Sequence, residues 1–392
     1  MAKVNFAGLE LKNPVIVASA TPSITADKIK RAADAGAGAV VTKSVVFPDP
    51  DGKPAGPNPR PRFMLMNNSR GYDPKLTEKG GLFTFFRIGE PYPTPEEMVQ
   101  MLDILKKPGY TDIPIIVSIC GSPHDYESWV NLAKKMENAG ADALELNMHC
   151  WRPYIAYTNP SIVKAVKDAV KIPVIVKLMA INEDPAIVGP QVELAGADAI
   201  TGLGTFGFEG TEIDVETGRP VLGSLHSLGL PGLGGSWLRS VSLAYMAKLA
   251  PKVSVPLSGV TGVQTWEDAV KYLLIGATTV QVCGAIYARG YKVLSEIAEG
   301  IDEYMKRHNY QSLEDFRGLS LQYTEVPEYA PPIKARMDKN KCTSCKRCVD
   351  SCLFDAITVR DGSVNIDAEK CDGCGVCWSL CPHKAIEMTK IN

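Results

Sequence analysis

Apolar runs alternate with amphipathic segments along the first three quarters of the chain. Each run is short and bounded by polar residues or glycine, which is typical of a buried parallel strand; the runs lie near 14–19, 39–46, 113–121, 142–150, 172–180, 197–205, 255–260 and 278–284. The intervening segments have apolar residues at helical spacing, at about 25–36, 95–107, 124–139, 159–170, 184–195, 236–250, 264–275 and 291–307. Eight strands alternating with eight helices over about 290 residues predict an α/β fold and favour a (β/α)8 barrel. An open doubly wound sheet stays open as an alternative, because one sequence does not give the strand order.

A glycine motif recurs where a helix gives way to a strand. It occurs as Ala35-Gly36-Ala37-Gly38-Ala39, Ala139-Gly140-Ala141-Asp142-Ala143, Ala195-Gly196-Ala197-Asp198-Ala199 and Gly276-Ala277. We interpret each glycine as a left-handed helix cap, followed by small residues that pack closely before the strand.

Polar and reactive side chains cluster at the predicted carboxyl ends of strands, where barrel enzymes place their active sites. They are Lys43, Ser118, Asn147, Cys150, Lys177 and Thr201. The run Leu144-Glu145-Leu146-Asn147-Met148-His149-Cys150 begins as a buried strand and ends in reactive groups. A positioned thiol can donate or accept a proton, so we take Cys150 as a candidate general acid or base. The alternative is that Cys150 is an inert, packed thiol, as we expect for Cys120.

Two predicted loops are unusually long. The segment from Phe47 to Pro95 is rich in proline and glycine and contains Asn68, and we interpret it as a lid or substrate wall, or else as support for a subunit contact. The segment from Gly202 to Gly235 contains Gly202-Leu203-Gly204-Thr205-Phe206-Gly207, which formally matches a dinucleotide fingerprint. No helix is predicted directly after this motif, so we discount a Rossmann site.

Eight of the eleven cysteines form two runs with the spacing of bacterial two-cluster ferredoxins. Since the fourth cysteine of each run ligates the other cluster, one [4Fe-4S] cluster is predicted on Cys342, Cys345, Cys348 and Cys381, and the second on Cys371, Cys374, Cys377 and Cys352. Zinc is the competing interpretation of such pairs. Leu353 follows the fourth cysteine of the first run, where proline is usual, whereas Pro382 keeps that pattern in the second.

Composition sets the remaining bounds. A formal charge of −2 does not favour nucleic acid as a partner. The amino terminus lacks a signal-peptide pattern, and no apolar run reaches membrane-spanning length, so we expect a cytoplasmic protein that does not insert into a membrane. The predicted division is a barrel domain over 1–310, a proline-rich linker over 311–336 and a small α+β bacterial-ferredoxin-like domain over 337–392.

With these motifs assembled, the chain resembles the dihydroorotate and dihydropyrimidine dehydrogenases, most closely the dihydropyrimidine type with its flavin-binding TIM barrel and ferredoxin tail. The resemblance rests on Thr42-Lys43-Ser44, Asn68-Ser69-Arg70-Gly71, Leu144-Glu145-Leu146-Asn147 with Cys150, Val176-Lys177-Leu178, Ser258-Gly259 and Val280-Gln281-Val282-Cys283-Gly284-Ala285.

This resemblance implies FMN in the barrel and an oxidoreductase acting on CH–CH groups, such as those of a pyrimidine. It implies that Cys150 exchanges a proton with one carbon of a C=C bond while flavin N5 exchanges a hydride with the other. Lys177 would lie near flavin N1, Lys43 would also contact the flavin, and Gly259, Cys283 and Gly284 would offer amides to its phosphate. Ser118, Asn147 and Thr201 complete the predicted cofactor contacts, and Asn68, Asn147 and His149 the predicted substrate contacts.

The chain departs from the family pattern beside the thiol. His149 replaces the usual serine, Trp151 and Arg152 follow Cys150, and Thr201 and Gly202 stand where an asparagine is expected after the sixth strand. A site that reads a pyrimidine through hydrogen bonds would be altered by these changes, so a different unsaturated substrate stays open. His149 is either a catalytic or substrate-binding residue or a structural histidine.

Because no nicotinamide fold is predicted, the resemblance implies a separate NAD(P)H–flavin reductase subunit or a soluble ferredoxin as electron partner, and a homodimer or hetero-oligomer. Two other functions stay open. One is an electron-transfer subunit without its own turnover, and the other is a lyase that uses Lys177 as a Schiff base.

Overall fold

The computed structural model describes residues 2–46, 62–66, 83–86, 92–122, 125–148, 158–179, 183–204, 208–223, 225, 231–323, 333–360 and 362–390. They divide into two compact units, Met1–Gln322 and Tyr323–Asn392.

The first unit contains fourteen described strands and nine described α-helices. The strands are β1 (Val4–Phe6), β2 (Leu9–Leu11), β3 (Val15–Val17), β4 (Ala39–Val41), β5 (Val45–Val46), β6 (Phe63–Met66), β7 (Phe83–Phe86), β8 (Ile115–Cys120), β9 (Ala143–Asn147), β10 (Val174–Met179), β11 (Ala199–Gly204), β12 (Gly232–Gly235), β13 (Leu257–Val260) and β14 (Thr279–Val282). The helices are α1 (Ala26–Asp34), α2 (Pro95–Leu105), α3 (Tyr126–Asn138), α4 (Pro160–Ala169), α5 (Pro185–Leu194), α6 (Arg239–Leu249), α7 (Trp266–Leu274), α8 (Gly284–Arg289) and α9 (Val293–His308).

Eight parallel strands close into a barrel. The order around the ring is β3, β4, β8, β9, β10, β11, β13 and β14, and β14 pairs with β3 to complete it. The prediction of a (β/α)8 barrel is confirmed, and the closed ring excludes the open doubly wound sheet. Every residue of β8 is buried, because the barrel interior covers one face and helices such as α3, with Trp129 and Leu132, cover the other.

The recurring glycine motif closes the bottom of the barrel. Gly140 and Gly196 have φ of 93° and 99°, so they form the left-handed caps that the sequence predicts. The aspartate that follows accepts a hydrogen bond from the first amide of the preceding strand, from Ile115 to Asp142 at 2.7 Å and from Val174 to Asp198 at 2.7 Å. The motif therefore supplies both the helix end and a partner for a strand amide.

The strand predicted over 39–46 is interrupted beside Lys43. Its first part is β4, and its second part, β5, pairs with Ile119–Cys120 at the far end of β8. The Lys43 amide donates to the Ser23 carbonyl at 3.2 Å instead of joining the sheet. This break displaces Lys43 from the strand ladder toward the mouth of the barrel.

The two long loops meet in a second sheet that the sequence analysis did not predict. Strand β7 pairs antiparallel with β6 on one edge and with β12 on the other. The described parts of the first loop are therefore joined by backbone hydrogen bonds to the end of the second.

The second unit is a small α+β domain. It consists of β15 (Ile333–Met337), α10 (Arg347–Asp350), β16 (Ile357–Arg360), β17 (Ser363–Ile366), α11 (Val376–Leu380) and β18 (Ile386–Lys390). Strand β15 pairs antiparallel with β18, and β16 with β17. The first cysteine run, with α10, connects β15 to β16, and the second, with α11, connects β17 to β18.

The connection between the units is shorter than the predicted 311–336 linker. Leu313 and Phe316 are buried in the core of the first unit, and the Arg317 guanidinium donates to the Thr278 hydroxyl at 3.3 Å. These apolar side chains attach 311–322 to the barrel unit, although the segment contains no regular helix longer than one turn.

Candidate functional site

A cavity of about 180 Å³, partly open to solvent, lies at the carboxyl ends of the barrel strands. It is lined by Ala18, Ser19, Ala20, Lys43, Ser44, Phe63, Thr84, Tyr92, Asn147, Lys177, Gly204, Gly234, Gly235, Val260, Thr261, Gly262, Val263, Gln264, Gln281, Cys283, Gly284 and Tyr287. The described lining includes two lysines and no carboxylate, which favours an anionic ligand. Phe63, Thr84 and Gly234 come from the loop sheet, so both long loops wall the cavity, as predicted for the first of them.

Lys43 and Asn147 lie on one side of the cavity. The Lys43 ammonium is 4.6 Å from the centroid of the Tyr92 ring, a cation–π distance. The Asn147 amide donates to the Ser44 hydroxyl at 3.0 Å, and Ser44 in turn is 2.9 Å from the Ser118 hydroxyl. Because these hydroxyl groups fix the amide nitrogen, the orientation of the Asn147 side chain is set before any ligand binds.

Beneath the cavity, Lys177 belongs to a buried ionic network inside the barrel. Its ammonium lies 3.3 Å from Oε1 of Glu145, whose side chain is fully buried. The other carboxylate oxygen accepts from the Thr201 hydroxyl at 3.0 Å and the Gln281 amide at 2.7 Å.

The turn after β13 forms another wall of the cavity. Thr261 and Gly262 both have positive φ, 84° and 81°. This conformation costs a β-branched residue roughly 1–3 kcal/mol, and the Thr261 hydroxyl donates to the Leu203 carbonyl at 2.7 Å, which helps to hold it. Strain retained in a cavity wall is typical of a ligand-binding turn.

Three buried polar atoms of residues that line the cavity have no hydrogen-bond partner among the described residues. They are Oε1 of Gln281, Oε1 of Gln264 and Oγ1 of Thr84. The Gln281 amide nitrogen donates to Glu145 and to Thr201, so its oxygen is the end left over. Buried polar atoms are normally satisfied, so these three atoms indicate a polar ligand. A cavity that combines lysines, small residues and unsatisfied polar atoms suits the phosphate and the polar ring edge of a flavin mononucleotide.

The predicted site residues fall into three groups. Lys43, Asn147, Lys177, Cys283 and Gly284 line the cavity together. Ser118, Thr201 and Gly259 lie behind it: Ser118 supports Ser44, Thr201 contacts Glu145, and a Cβ on Gly259 would lie 2.5 Å from the Tyr272 ring. Asn68, His149 and Cys150 lie outside the described residues. Cys120 is fully buried beside Gly121, as expected of a packed thiol.

The sequence analysis did not identify Glu145, Gln264, Gln281 and Thr84 as functional residues. Glu145 and Gln281 each lie within an otherwise apolar strand. A polar side chain at such a buried position could have indicated a functional role, because charged and amide groups are seldom buried without a partner. Gln264 lies in a loop, and Thr84 lies in β7, within the first long loop. In such segments the sequence alone does not show which side chains face the cavity.

The eight cysteines of the second unit line two separate voids. Cys342, Cys345, Cys348 and Cys381 line one of them, and Cys352, Cys371, Cys374 and Cys377 line the other. Burial raises the pKa of the Cys348 thiol, and the neighbouring Cys342, Cys345 and Cys381 raise it further. The grouping matches the crossed ligand sets that the spacing predicts. Among the described residues, no three His, Cys, Asp or Glu side chains form a group that could hold a single metal ion.

Two further expectations concern what the described chain does not contain. Residues 208–223, which follow the glycine-rich motif after β11, include no helix. None of the helices in the described ranges is long and apolar enough to cross a bilayer.

The fold and cavity define the class of protein: a TIM-barrel oxidoreductase followed by an iron–sulfur domain of the ferredoxin type. The profile described as "Dihydroorotate dehydrogenase" matches residues 1–305, and the one described as "4Fe-4S dicluster domain" matches residues 335–388. The chain therefore belongs to the dihydroorotate dehydrogenase family, whose members use FMN.

Curated relatives match the chain over most of its length. The "Dihydroorotate dehydrogenase B (NAD(+)), catalytic subunit" of Pyrococcus abyssi is 35% identical over 334 residues, covering 82% of this chain and 99% of the relative. The proteins of the same description from Thermococcus kodakarensis and Methanosarcina acetivorans are each 34% identical and cover 81% of this chain, with 98% and 95% of their own lengths matched. Nearly all of each relative is thus matched, while about a fifth of this chain lies beyond the match.

Proposed function

We propose that this chain interconverts a saturated CH–CH bond and an activated C=C bond in a cyclic substrate of the dihydroorotate or dihydropyrimidine kind. The observation that carries the proposal is the barrel cavity, in which Lys43, Asn147 and Lys177 meet the unsatisfied oxygens of Gln264 and Gln281. FMN bound there would supply a two-electron carrier that can also exchange single electrons with iron–sulfur clusters.

The residues around the cavity would divide the work. Lys43 and Lys177 would hold negative charge on the cofactor or substrate, and the ion pair with Glu145 holds Lys177 in place. Asn147, oriented by Ser44, would present its amide oxygen to the ligand. Backbone amides of Cys283 and Gly284, at the start of α8, would meet a phosphate. Cys150 would donate or accept the proton at the reacting carbon.

The tail would pass electrons between the barrel and a partner protein. The two voids would hold one [4Fe-4S] cluster each, with the crossed ligand sets given above. Since the described residues contain no nicotinamide-binding fold, the partner would be a separate NAD(P)H–flavin reductase subunit or a soluble ferredoxin. Rapid reduction of the purified chain by NADH or NADPH alone would contradict this assignment.

The test is substrate-dependent reduction of the flavin in anaerobically purified protein. We expect roughly eight iron atoms and one flavin per chain, and bleaching of the flavin by dihydroorotate or by a dihydropyrimidine in stopped-flow measurements. The comparison of these two substrates decides between the dihydroorotate and dihydropyrimidine activities. A protein without flavin, or a flavin that none of these substrates or their oxidised forms affects, would refute the proposal.

The role of Cys150 is tested by Cys150→Ala, with Cys120→Ala as the matched control. Loss of the positioned acid should slow flavin reduction by about 100-fold or more while flavin and iron contents stay unchanged. Cys120 is buried beside Gly121 and does not line the cavity, so its replacement should leave the rate near that of the parent protein. Equal rates for Cys150→Ala and the parent would remove the thiol from the reaction.

A further inference from the structure

The surroundings of the two cysteine-lined voids differ in charge. Lys346, Arg347 and His383 line the first void together with its four cysteines. Lys341 and Lys384, the neighbours of Cys342 and His383 in sequence, are also exposed. We call Lys341, Lys346, Arg347, His383 and Lys384 the basic rim.

Acidic groups only partly offset this charge. The Lys341 ammonium lies 3.2 Å from the Asp338 carboxylate, so this lysine contributes less than the others. Asp350 is exposed at the end of α10. Lys346, Arg347 and Lys384 have no ion pair within 4 Å among the described residues. The whole chain has a formal charge of −2, so this positive charge is concentrated locally and does not reflect an overall basic composition.

The second void has a different border. Among the described residues, Asp372 is the charged residue that lines it, beside Phe354 and Val376. Lys334 donates to the Cys371 carbonyl and Lys370, next to Cys371 in sequence, is exposed, but Glu369 and Asp372 offset these two charges. The adjoining Leu353 and Trp378 are 83% and 56% exposed. Cys345 and Cys374, one at each void, are both exposed, so the two sites differ in the charge of their borders and not in access.

We propose that the basic rim is the docking surface for a small acidic one-electron carrier protein, and that electrons are exchanged with this carrier at the first cysteine-lined site. The inference deepens the proposed function, on which it rests for the clusters themselves. Positive charge around a redox centre attracts an acidic carrier, which raises the association rate and orients the carrier. This electrostatic attraction weakens at high ionic strength because salt screens the charges. At the second void, Glu369 and Asp372 balance Lys334 and Lys370, so its border lacks the net positive charge needed for this kind of steering.

The experiment uses the full chain with its clusters and reduced flavodoxin as the acidic carrier. Reduction of the clusters is followed by stopped-flow absorbance, and binding by calorimetry with oxidised flavodoxin, both at increasing ionic strength. We expect both the rate and the affinity to fall as salt is added. Reduced cytochrome c, a basic carrier, should bind less tightly at low salt than flavodoxin.

Charge reversal locates the surface. Lys346→Glu and Arg347→Glu should each lower the bimolecular rate roughly tenfold at low ionic strength. Lys370→Glu is the matched control, since Lys370 precedes Cys371 at the second site and the substitution changes the net charge by the same amount. Lys346→Gln serves as the milder variant if reversal reduces cluster content, which iron and sulfide analysis will show.

A control that slows the reaction as much as Lys346→Glu, or rates and affinities that do not respond to salt, would overturn the inference. The proposed function fails in a separate measurement. If dihydroorotate and the dihydropyrimidines leave the flavin unchanged while flavodoxin still reduces the clusters in a salt- and Lys346-dependent way, the docking surface stands and the substrate assignment falls. If substrates reduce the flavin but the rate with flavodoxin does not depend on Lys346 or on salt, the substrate assignment stands and the docking surface falls.

Discussion

The ion pair between Glu145 and Lys177 provides a direct test of how the barrel interior supports its site. The substitution Glu145→Gln removes the negative charge but keeps the size of the side chain. The Lys177 side chain is 9% exposed, so the substitution leaves a buried ammonium without a counter-charge. The introduced amide group would also bring new donors toward Thr201 and Gln281, which already donate to the carboxylate.

The expected cost follows from the geometry. At 3.3 Å and an effective dielectric constant of about 20, two unit charges attract by about 5 kcal/mol. Removal of one partner from a buried pair typically costs about 3–5 kcal/mol. For a unit that spans Met1–Gln322, an unfolding entropy of about 2.1 cal/mol/K per residue corresponds to about 1.5 °C in Tm per kcal/mol, so Glu145→Gln should lower the Tm by roughly 4–8 °C.

The assay is thermal unfolding followed by circular dichroism at one fixed scan rate, because a protein of this size with clusters can unfold irreversibly. Lys177→Met is the comparison, since it leaves the carboxylate with its hydrogen bonds from Thr201 and Gln281. The double variant Glu145→Gln/Lys177→Met contains no unpaired charge and should be more stable than Glu145→Gln alone. A double variant that loses the sum of the two single effects would refute the reasoning, because it would show that the charges do not interact.

Three further predictions concern the cofactor sites and the core. Cys381→Ala should remove the cluster associated with the first cysteine run and leave roughly four iron atoms per chain, as measured by iron analysis and electron paramagnetic resonance; loss of the second cluster instead would contradict the crossed ligand sets. Gly300→Ala should lower the Tm in circular dichroism, because the new Cβ would lie 2.2 Å from Cγ and 2.4 Å from Cβ of Trp266; an unchanged Tm would contradict this close packing. Thr84→Val should weaken flavin binding about tenfold in equilibrium dialysis, whereas Thr279→Val, whose hydroxyl is also buried without a partner but does not line the cavity, should not.

The barrel was largely predictable because its signals are local and repeated. Continuous apolar runs can be accommodated only where both faces of a strand are covered, and Gly140 and Gly196 take the positive φ that their positions imply. The division of the eight cysteines into two ligand sets was predictable for a similar reason, because their spacing on short loops determines which thiols can converge. The family resemblance led to Lys43, Asn147 and Lys177, which line one cavity.

What could not be predicted depends on contacts between distant segments. The end of β4 beside Lys43 is set by a hydrogen bond to Ser23, and nothing local in 39–46 shows it. Gln281 faces the cavity with its oxygen only because Glu145 and Thr201, from two other strands, take its amide hydrogens. Likewise, Leu313 and Phe316 attach a segment that reads as a linker to the barrel.

The sheet made by β6, β7 and β12 has a consequence for engineering this scaffold. Since β7 uses both of its edges, the two excursions from the barrel share a single hydrogen-bonded support. If a graft replaces only one of the two long loops, β7 or the strand that pairs with it loses the partner whose register it matches. Chimeras intended to exchange ligand preference with a relative should therefore transfer both excursions as a pair.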